Sequence, residues 1–403
     1  MILEETINEV YLAQNKNVKF IKDELLRESM PSLKSVESHA IIISGVRRCG
    51  KSTLLTQLFR EFNDKNIFYL NFDTPMLFDF SINDFSRLDK IILKENSQWL
   101  LFDEIQQIKG WEVYVRQKLD EHYKVIVTGS NASLLSGELV SHLTGRHISY
   151  ELFPFSYYEF ITFKKLQPDS SSVEQYLMKG GFPEFLKTDD NQQLITLYQD
   201  VIFRDIVARY GIKEILSLQR LSQFLIHNIG NKFSAGKLKQ ILSVGSTNTI
   251  LNWCGFLENT YLFAFLDKFC YSVRSQMVNP KKIYSVDTGL VNAVALKSTL
   301  DKGHLFENMV YLQLRRKNRE LYYFEEKNEC DFVNAQNGTP TAVYQVCYEL
   351  SQDNQQRELD GLQEAMRAFN LNSGTVITLN QEDSLVIDNK TIAIVPFWRK
   401  FRD

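Results

Sequence analysis

The sequence predicts an α/β protein whose core is a parallel sheet, followed by two smaller modules, and three observations carry that prediction. Between residues 40 and 150 short apolar runs alternate with polar amphipathic stretches, the pattern of buried strands joined by helices. A glycine-rich loop, Gly45 to Ser52, stands directly between the first apolar run and a helical stretch. From Ser217 onward the texture changes twice, to short helices with aromatic strand-like pieces and then to a second helix-and-strand unit.

The elements follow in order. Within residues 1–35, Ile7, Val10 and Tyr11 and then Phe20, Ile21 and Leu25 fall at helical spacing, and Pro31 ends the pattern. The strands of the sheet are AIIIS (40–44), IFYLNF (67–72), WLLFD (99–103), VIVTG (125–129) and HISYEL (147–152). Residues 153–215 read as mostly helical, broken by the GGFPE turn at 180–184. Helices at 217–230, 234–242 and 247–258, with Ser234 and Ser246 or Thr247 as N-caps, precede strands at 261–266 and 282–286. A helix near 303–318 leads into strands 321–326, 330–335 and 342–350, a helix at 356–370, and strands 375–379 and 391–397. The expected domains are therefore 1–160, a helical connector 161–215, 216–300 and 301–403.

Composition narrows the class. Hydrophobic residues are 44% and charged residues 24% of the 403, which supports packed domains rather than disorder. With 18 Gly and 8 Pro, long flexible linkers are not expected. No apolar run is long enough to span a bilayer, and the N-terminal MILEETINEVYLAQNK lacks the layout of a secretory signal. The five cysteines are scattered, without zinc spacing or a disulfide framework. A soluble, cytoplasmic protein without membrane partners is expected. The net charge of −3 supplies no global field for nucleic acid, so any DNA contact must come from a local patch.

The chemistry concentrates at GVRRCGKS, Gly45 to Ser52, which fits the phosphate-loop pattern G-x-x-x-x-G-K-[ST] in the required strand–loop–helix setting. Gly45 and Gly50 let successive N–H groups turn toward phosphate oxygens, and the helix that begins with Ser52 and Thr53 adds its positive end. Lys51 is expected on the β and γ phosphates and the Ser52 hydroxyl on Mg²⁺. Arg47 and Arg48 lie inside the loop, on phosphate or facing solvent, and Cys49 is read as a small filler. The strand WLLFDEIQ ends in two carboxylates: Asp103 is expected to hold Mg²⁺ and Glu104 to activate water for in-line attack. In VIVTGSNASLL, Ser130 or Asn131 is expected beside the γ-phosphate. ATP and Mg²⁺ are the cofactors these residues call for.

These motifs together resemble an AAA+-type P-loop ATPase core. The further series LTGR (143–146), ELFPFSYYEF (151–160), GGFPE (180–184), YQDVIFRDI (198–206) and KIYSVDTGL (282–290) is similar to prokaryotic ATPases that carry a C-terminal domain of unknown function. The resemblance spans nearly the whole chain. It implies a P-loop NTPase fold, ATP hydrolysis, and a role for Arg146 as an arginine reaching the γ-phosphate of a neighbouring subunit in a homo-oligomer; a surface or salt-bridging arginine is the alternative.

Residues 217–290 read as a winged helix. Its third helix, Ser246 to Glu258, contains no Lys or Arg, which suits packing or a protein partner; Lys232, Lys237 and Lys239 nearby leave DNA contact open. In the last segment a helix with Glu307 and a strand with Asp331 match the carboxylates of a PD-(D/E)XK nuclease fold. The third strand reads YQVCY, so Gln345 and Cys347 stand where a carboxylate and a lysine belong, and Lys327 has no evident route to that role. An inactive, nuclease-like module is expected, with LRRKNR (314–319) as a binding patch or a solvated helix end. The leading function is an ATP-hydrolysing switch or motor linked to DNA or a DNA-associated protein. A non-hydrolysing signalling module and an ATP-controlled nuclease are the alternatives.

Overall fold

The computed structural model describes residues 1–20, 25–30, 39–61, 66–131, 143, 145–296 and 301–402. The chain divides into two compact units, Met1–Leu152 and Phe153–Asp403.

The first unit is built on strands β1 (Ala40–Ser44), β2 (Ile67–Asn71), β3 (Trp99–Asp103), β4 (Lys124–Gly129) and β5 (His147–Glu151), in the order β2-β3-β4-β1-β5. Every pairing is parallel. The expected strands are all present, with ends shifted by a residue. β1 and β3 are buried at every position, because helices cover both faces of a parallel sheet. Those helices are α1 (Glu4–Phe20), α2 (Lys51–Glu61), α3 (Phe85–Lys94) and α4 (Trp111–Asp120). Tyr11 of α1 stacks on Phe68 with centroids 4.4 Å apart, which fixes the first helix on the sheet. The predicted N-terminal helix ends at Phe20; Leu25 lies in a non-helical piece, while Ile21 and Pro31 fall outside the described residues.

Topology places the site. β4 lies between β1 and β3, so Ser44 pairs with Gly129, Phe102 with Val127 and Asn71 with Asp103. All strands point the same way, and the loop after β1, the tip of β4 and the acidic end of β3 therefore share one edge of the sheet.

The second unit begins with α5 (Tyr157–Lys164), α6 (Ser170–Lys179), α7 (Pro183–Thr188) and α8 (Asn191–Asp200), which runs on into a π-helical stretch, Val201–Ala208. Ser156 and Asp169 form capping boxes at the first two, and Pro183 sits at the start of α7, where a missing N–H costs nothing. Next come α9 (Ile215–His227), α10 (Ala235–Leu242) and α11 (Thr247–Asn259). Ser234 and Ser246 cap α10 and α11 by accepting from Lys237 N and Asn248 N. Strands β6 (Lys232–Phe233), β7 (Phe263–Leu266) and β8 (Lys281–Ser285) form an antiparallel sheet in the order β6-β8-β7, with α12 (Val273–Val278) between β7 and β8. After α13 (Thr288–Val294) and α14 (Lys302–Lys317), a six-stranded mixed sheet is built from β9 (Leu321–Glu325), β10 (Glu329–Gln336), β11 (Thr339–Val346), β12 (Ser373–Thr378), β13 (Asp383–Ile387) and β14 (Lys390–Pro396). Its order is β13-β14-β12-β11-β10-β9, and α15 (Gln355–Ala368) and α16 (Phe397–Lys400) complete the chain. The two-residue β6, α12 and β13 are elements the sequence reading did not include.

Candidate functional site

At the edge of the first sheet the loop after β1 is shaped by its glycines. A Cβ at Gly45 would stand 2.1 Å from the Leu152 carbonyl, and Gly50 has φ +104. Lys51 is buried and its Nζ donates to the Gly45 and Val46 carbonyls at 3.0 and 3.1 Å, so the ammonium lies within the loop's own curl. Ser52 is exposed and Thr53 half-buried at the start of α2. Arg48, with φ 63, is exposed and Arg47 half-buried. Cys49 is fully buried, and burial pushes its thiol pKa up, so it is packing material rather than a nucleophile.

Asp103, fully buried at the tip of β3, is the hub of the acidic side. It accepts from Thr128 Oγ1 at 2.5 Å, Asn71 Nδ2 at 3.1 Å, Tyr69 Oη at 3.2 Å and the Ser52 hydroxyl. Burial raises its pKa, the neighbouring Glu104 adds to that, and Thr128, Ser52 and Lys51 oppose it. The hydroxyl of Ser52 and the carboxylate of Asp103 are thus side by side, an oxygen-only pair of the kind Mg²⁺ takes, and a dication there would offset the cost of the buried charge. Glu104 adopts φ 53, ψ 39, a left-handed conformation uncommon for a side-chain-bearing residue. Its N–H donates to Thr128 Oγ1 at 3.0 Å, and its carboxylate accepts from Ser130 Oγ at 3.4 Å and from Gln106 Nε2.

Lys51, Ser52, Asp103 and Glu104 are therefore brought together, and Asn131 lies buried just beyond β4 on the same edge. Arg146 is not there. It precedes β5, at the opposite end of the sheet, about five residues or roughly 16 Å from the phosphate loop. Its guanidinium pairs with Asp120 at 2.6 Å on the same chain, so it has no reach to its own loop.

The second unit holds another lysine among carboxylates. Glu307 and Asp331 share one cation, and Gln345 is beside Asp331: its Oε1 accepts from Asp331 N at 3.3 Å and its Nε2 donates to Glu358 at 2.7 Å. The cation is Lys282 of β8, 3% exposed, at 2.5 Å from Glu329, 2.7 Å from Glu307 and 3.0 Å from Asp331. Tyr284 adds a hydrogen bond to Glu307. Burial opposes the ammonium, but Glu307, Tyr284, Asp331 and Glu329 outweigh it and hold its pKa well above the ordinary value. Burial lifts the Glu307 and Asp331 carboxyls. Sequence reasoning missed Lys282, Glu329 and Glu358. The available signal was Lys282 and Tyr284 at alternate positions of the strand KKIYS, which puts them on one face. Cys347 lies beyond β11, its thiol donating to the Glu349 carbonyl at 3.1 Å.

Two basic groups proposed for DNA are occupied internally. Lys232 pairs with Glu325 at 2.7 Å and Glu329 at 2.5 Å. Arg316 donates to the Pro154 carbonyl at 2.6 Å and stacks on Phe153.

Several motifs quoted for the resemblance are architectural in this chain. Asp287 of KIYSVDTGL is buried and accepts from Gly181 N at 2.6 Å and Leu290 N at 2.9 Å, while Gly181 in turn accepts from Phe155 N at 2.7 Å. A Cβ at Gly180 would stand 2.1 Å from Asp287, and one at Gly289 would stand 2.1 Å from the Lys179 carbonyl. Burial raises the Asp287 pKa to about 6 against the pull of these N–H donors.

Residues 37–161 match the description of an AAA domain, and residues 170–301 and 302–399 match two domains of unknown function. The uncharacterized protein MJ1544 of Methanocaldococcus jannaschii is 32% identical over 398 residues, covering 91% of this chain and 89% of that protein. An uncharacterized protein of Haemophilus influenzae is 29% identical over 337 residues, covering 77% and 83%. Among solved structures, AMPPCP-bound DnaA from Aquifex aeolicus matches with 15% identity and a TM-score of 0.28 over 64% of this chain and 89% of that one. Cdc6p from Pyrobaculum aerophilum matches with 10% identity and a TM-score of 0.30 over 73% and 98%. No helix among the described residues is long and apolar enough to cross a membrane. This chain belongs to the same family as MJ1544, and is built as an AAA domain followed by two domains of unknown function.

Proposed function

We propose that the chain is an ATP-binding and ATP-hydrolysing switch. The observation that carries this reading is the juxtaposition of Ser52 with Asp103 beside a phosphate loop whose lysine bonds only backbone carbonyls among its described hydrogen bonds. Lys51 would exchange those carbonyls for phosphate oxygens, Ser52 and Asp103 would hold Mg²⁺, and Glu104, in its left-handed turn, would take the proton of the attacking water. Bound Mg²⁺ supplies charge neutralisation at the phosphates. Asn131 helps to place the water. Arg146 acts on the site of a neighbouring copy in a homo-oligomer. The five free cysteines fit a reducing compartment such as the cytoplasm.

The second unit is the output. Its three helices and antiparallel sheet support the winged-helix reading, and its exposed groups favour a DNA-associated protein over bare duplex as partner. α11 turns Asn248, Leu251 and Asn252 outward without a cation, and Tyr271, Val273, Met277 and Val278 are exposed around α12. The cation lodged in the Glu307–Asp331 cluster is Lys282, which supports a nuclease-like module without nuclease activity. A switch that binds ATP without turning it over is the second reading.

Phosphate release from Mg-ATP, measured with and without duplex DNA, tests the proposal. Turnover in the wild type and its loss by about two orders of magnitude or more in Glu104→Gln are expected. Wild-type turnover in Glu104→Gln would remove the assigned base, and stimulation by DNA would shift the partner from protein to nucleic acid.

A further inference from the structure

A second buried cation reaches the phosphate loop from outside it. Arg27, in the short segment before β1, is 5% exposed, and its Nη1 donates to the Cys49 carbonyl at 2.9 Å. The segment is tied to the helix that follows the loop: Gln57 of α2, itself 1% exposed, donates from Nε2 to the Leu25 carbonyl at 2.8 Å. The chain turns at this point, with Met30 N donating to Arg27 O at 3.0 Å. Position 50 is also shaped by this contact, since a Cβ on Gly50 would stand 3.2 Å from Arg27 Nη1.

The geometry has a direct consequence for phosphate binding. In a planar trans peptide the C=O of one residue and the N–H of the next point in opposite directions. Arg27 holds the Cys49 carbonyl, and the N–H of Gly50 in the same peptide is thereby directed away from Arg27. A charged donor on the carbonyl also polarises the peptide and strengthens its N–H as a donor. The charges of Lys51 and Arg27 both act on the Cys49 thiol, so the two cations flank the same stretch of backbone.

We infer that Arg27 is a positioning residue for the phosphate chain of a nucleotide, acting through the Cys49–Gly50 peptide. This rests on the nucleotide reading above. It adds a contact from a segment that precedes the phosphate loop in the chain and that no spacing pattern would have assigned. Because the oriented N–H serves a nucleoside diphosphate and triphosphate alike, Arg27 contributes to binding both, and its loss falls on affinity and KM rather than on kcat.

The test is the affinity of the full chain for ADP and, in the Glu104→Gln background, for ATP, measured by calorimetry in wild type, Arg27→Ala, Arg27→Lys and Lys51→Ala. Arg27→Ala should weaken both nucleotides about tenfold, the loss expected of one charge-assisted hydrogen bond. Arg27→Lys, which keeps the charge but not the planar fork, should fall between. Should Arg27→Ala fail to fold, the Arg27→Lys affinity and its KM-against-kcat split carry the test. Unaltered affinity in folded Arg27 variants, or a loss confined to kcat, overturns the assignment of Arg27 alone. Failure of the wild type to bind either nucleotide overturns the nucleotide reading and this inference with it.

Discussion

Each unit of the chain places a buried lysine near carboxylates, and the two lysines have opposite prospects. Lys51 donates to two neutral carbonyls of its own loop, with an exposed serine and a glycine-shaped backbone next to it. Those partners are weak, and a phosphate oxygen replaces them at a gain. Lys282 donates to three carboxylates and is 3% exposed. No incoming ligand offers it better partners, and leaving would strand three charges. The same residue types thus make a site where the lysine's partners are exchangeable and a structural lock where they are not.

The largest expected effect lies on the lock. Lys282→Ala leaves buried carboxylates without their cation and should cost the second unit about 3–5 kcal/mol, read by denaturant unfolding. Lys51→Ala, which breaks two loop-carbonyl bonds and removes one charge acting on Asp103, should cost less. Similar losses in both variants would erase the contrast.

Asp287 sharpens the comparison through pH. Its pKa is raised by burial to about 6 from 3.8, so the folded chain binds more protons than the unfolded one between those values. Its contribution to stability is therefore full below about pH 3 and declines as pH rises through 6, by about 3 kcal/mol in all. Asp287→Asn lacks that titration, and the stability difference between wild type and variant should change by about that amount from pH 3 to 7. A difference independent of pH would refute the raised carboxyl. Glu307 has the same sign, since burial also raises it.

The smallest effect concerns Arg146. Its pair with Asp120 has side chains 38% and 59% exposed, so Arg146→Ala should change stability by less than about 1 kcal/mol. Turnover should fall only under conditions where copies associate. A fall in a strictly monomeric sample would mean that the sheet edge assigned to Arg146 is wrong.

What the sequence made legible follows from the range of the forces involved. The five strands of the first unit are continuous apolar runs because both faces are covered, and the phosphate loop is a local pattern; both survive reading in one dimension. Glu307 and Asp331 were also singled out, since they match the carboxylates of a nuclease-like pattern. Lys282 was not, because its partners lie 25 to 49 positions away and its strand belongs to a different sheet. Arg27 was hidden for the same reason: its contact spans 22 positions and joins a non-helical segment to a loop. The sequence reading placed Lys232 and Arg316 among groups available to DNA, since charge is visible in a sequence and ion pairing is not. β6 and α12 escaped because a two-residue strand and a short solvent-facing helix bury too little to impose a period.

The most direct test of the central contrast is titration of Mg-ATP into the wild type and Lys51→Ala, with heat as the readout. Saturable binding by the wild type, weakened at least tenfold in Lys51→Ala while its unfolding midpoint holds, is the result this account predicts. Equal affinity in the two proteins, or no binding by the wild type, would contradict it.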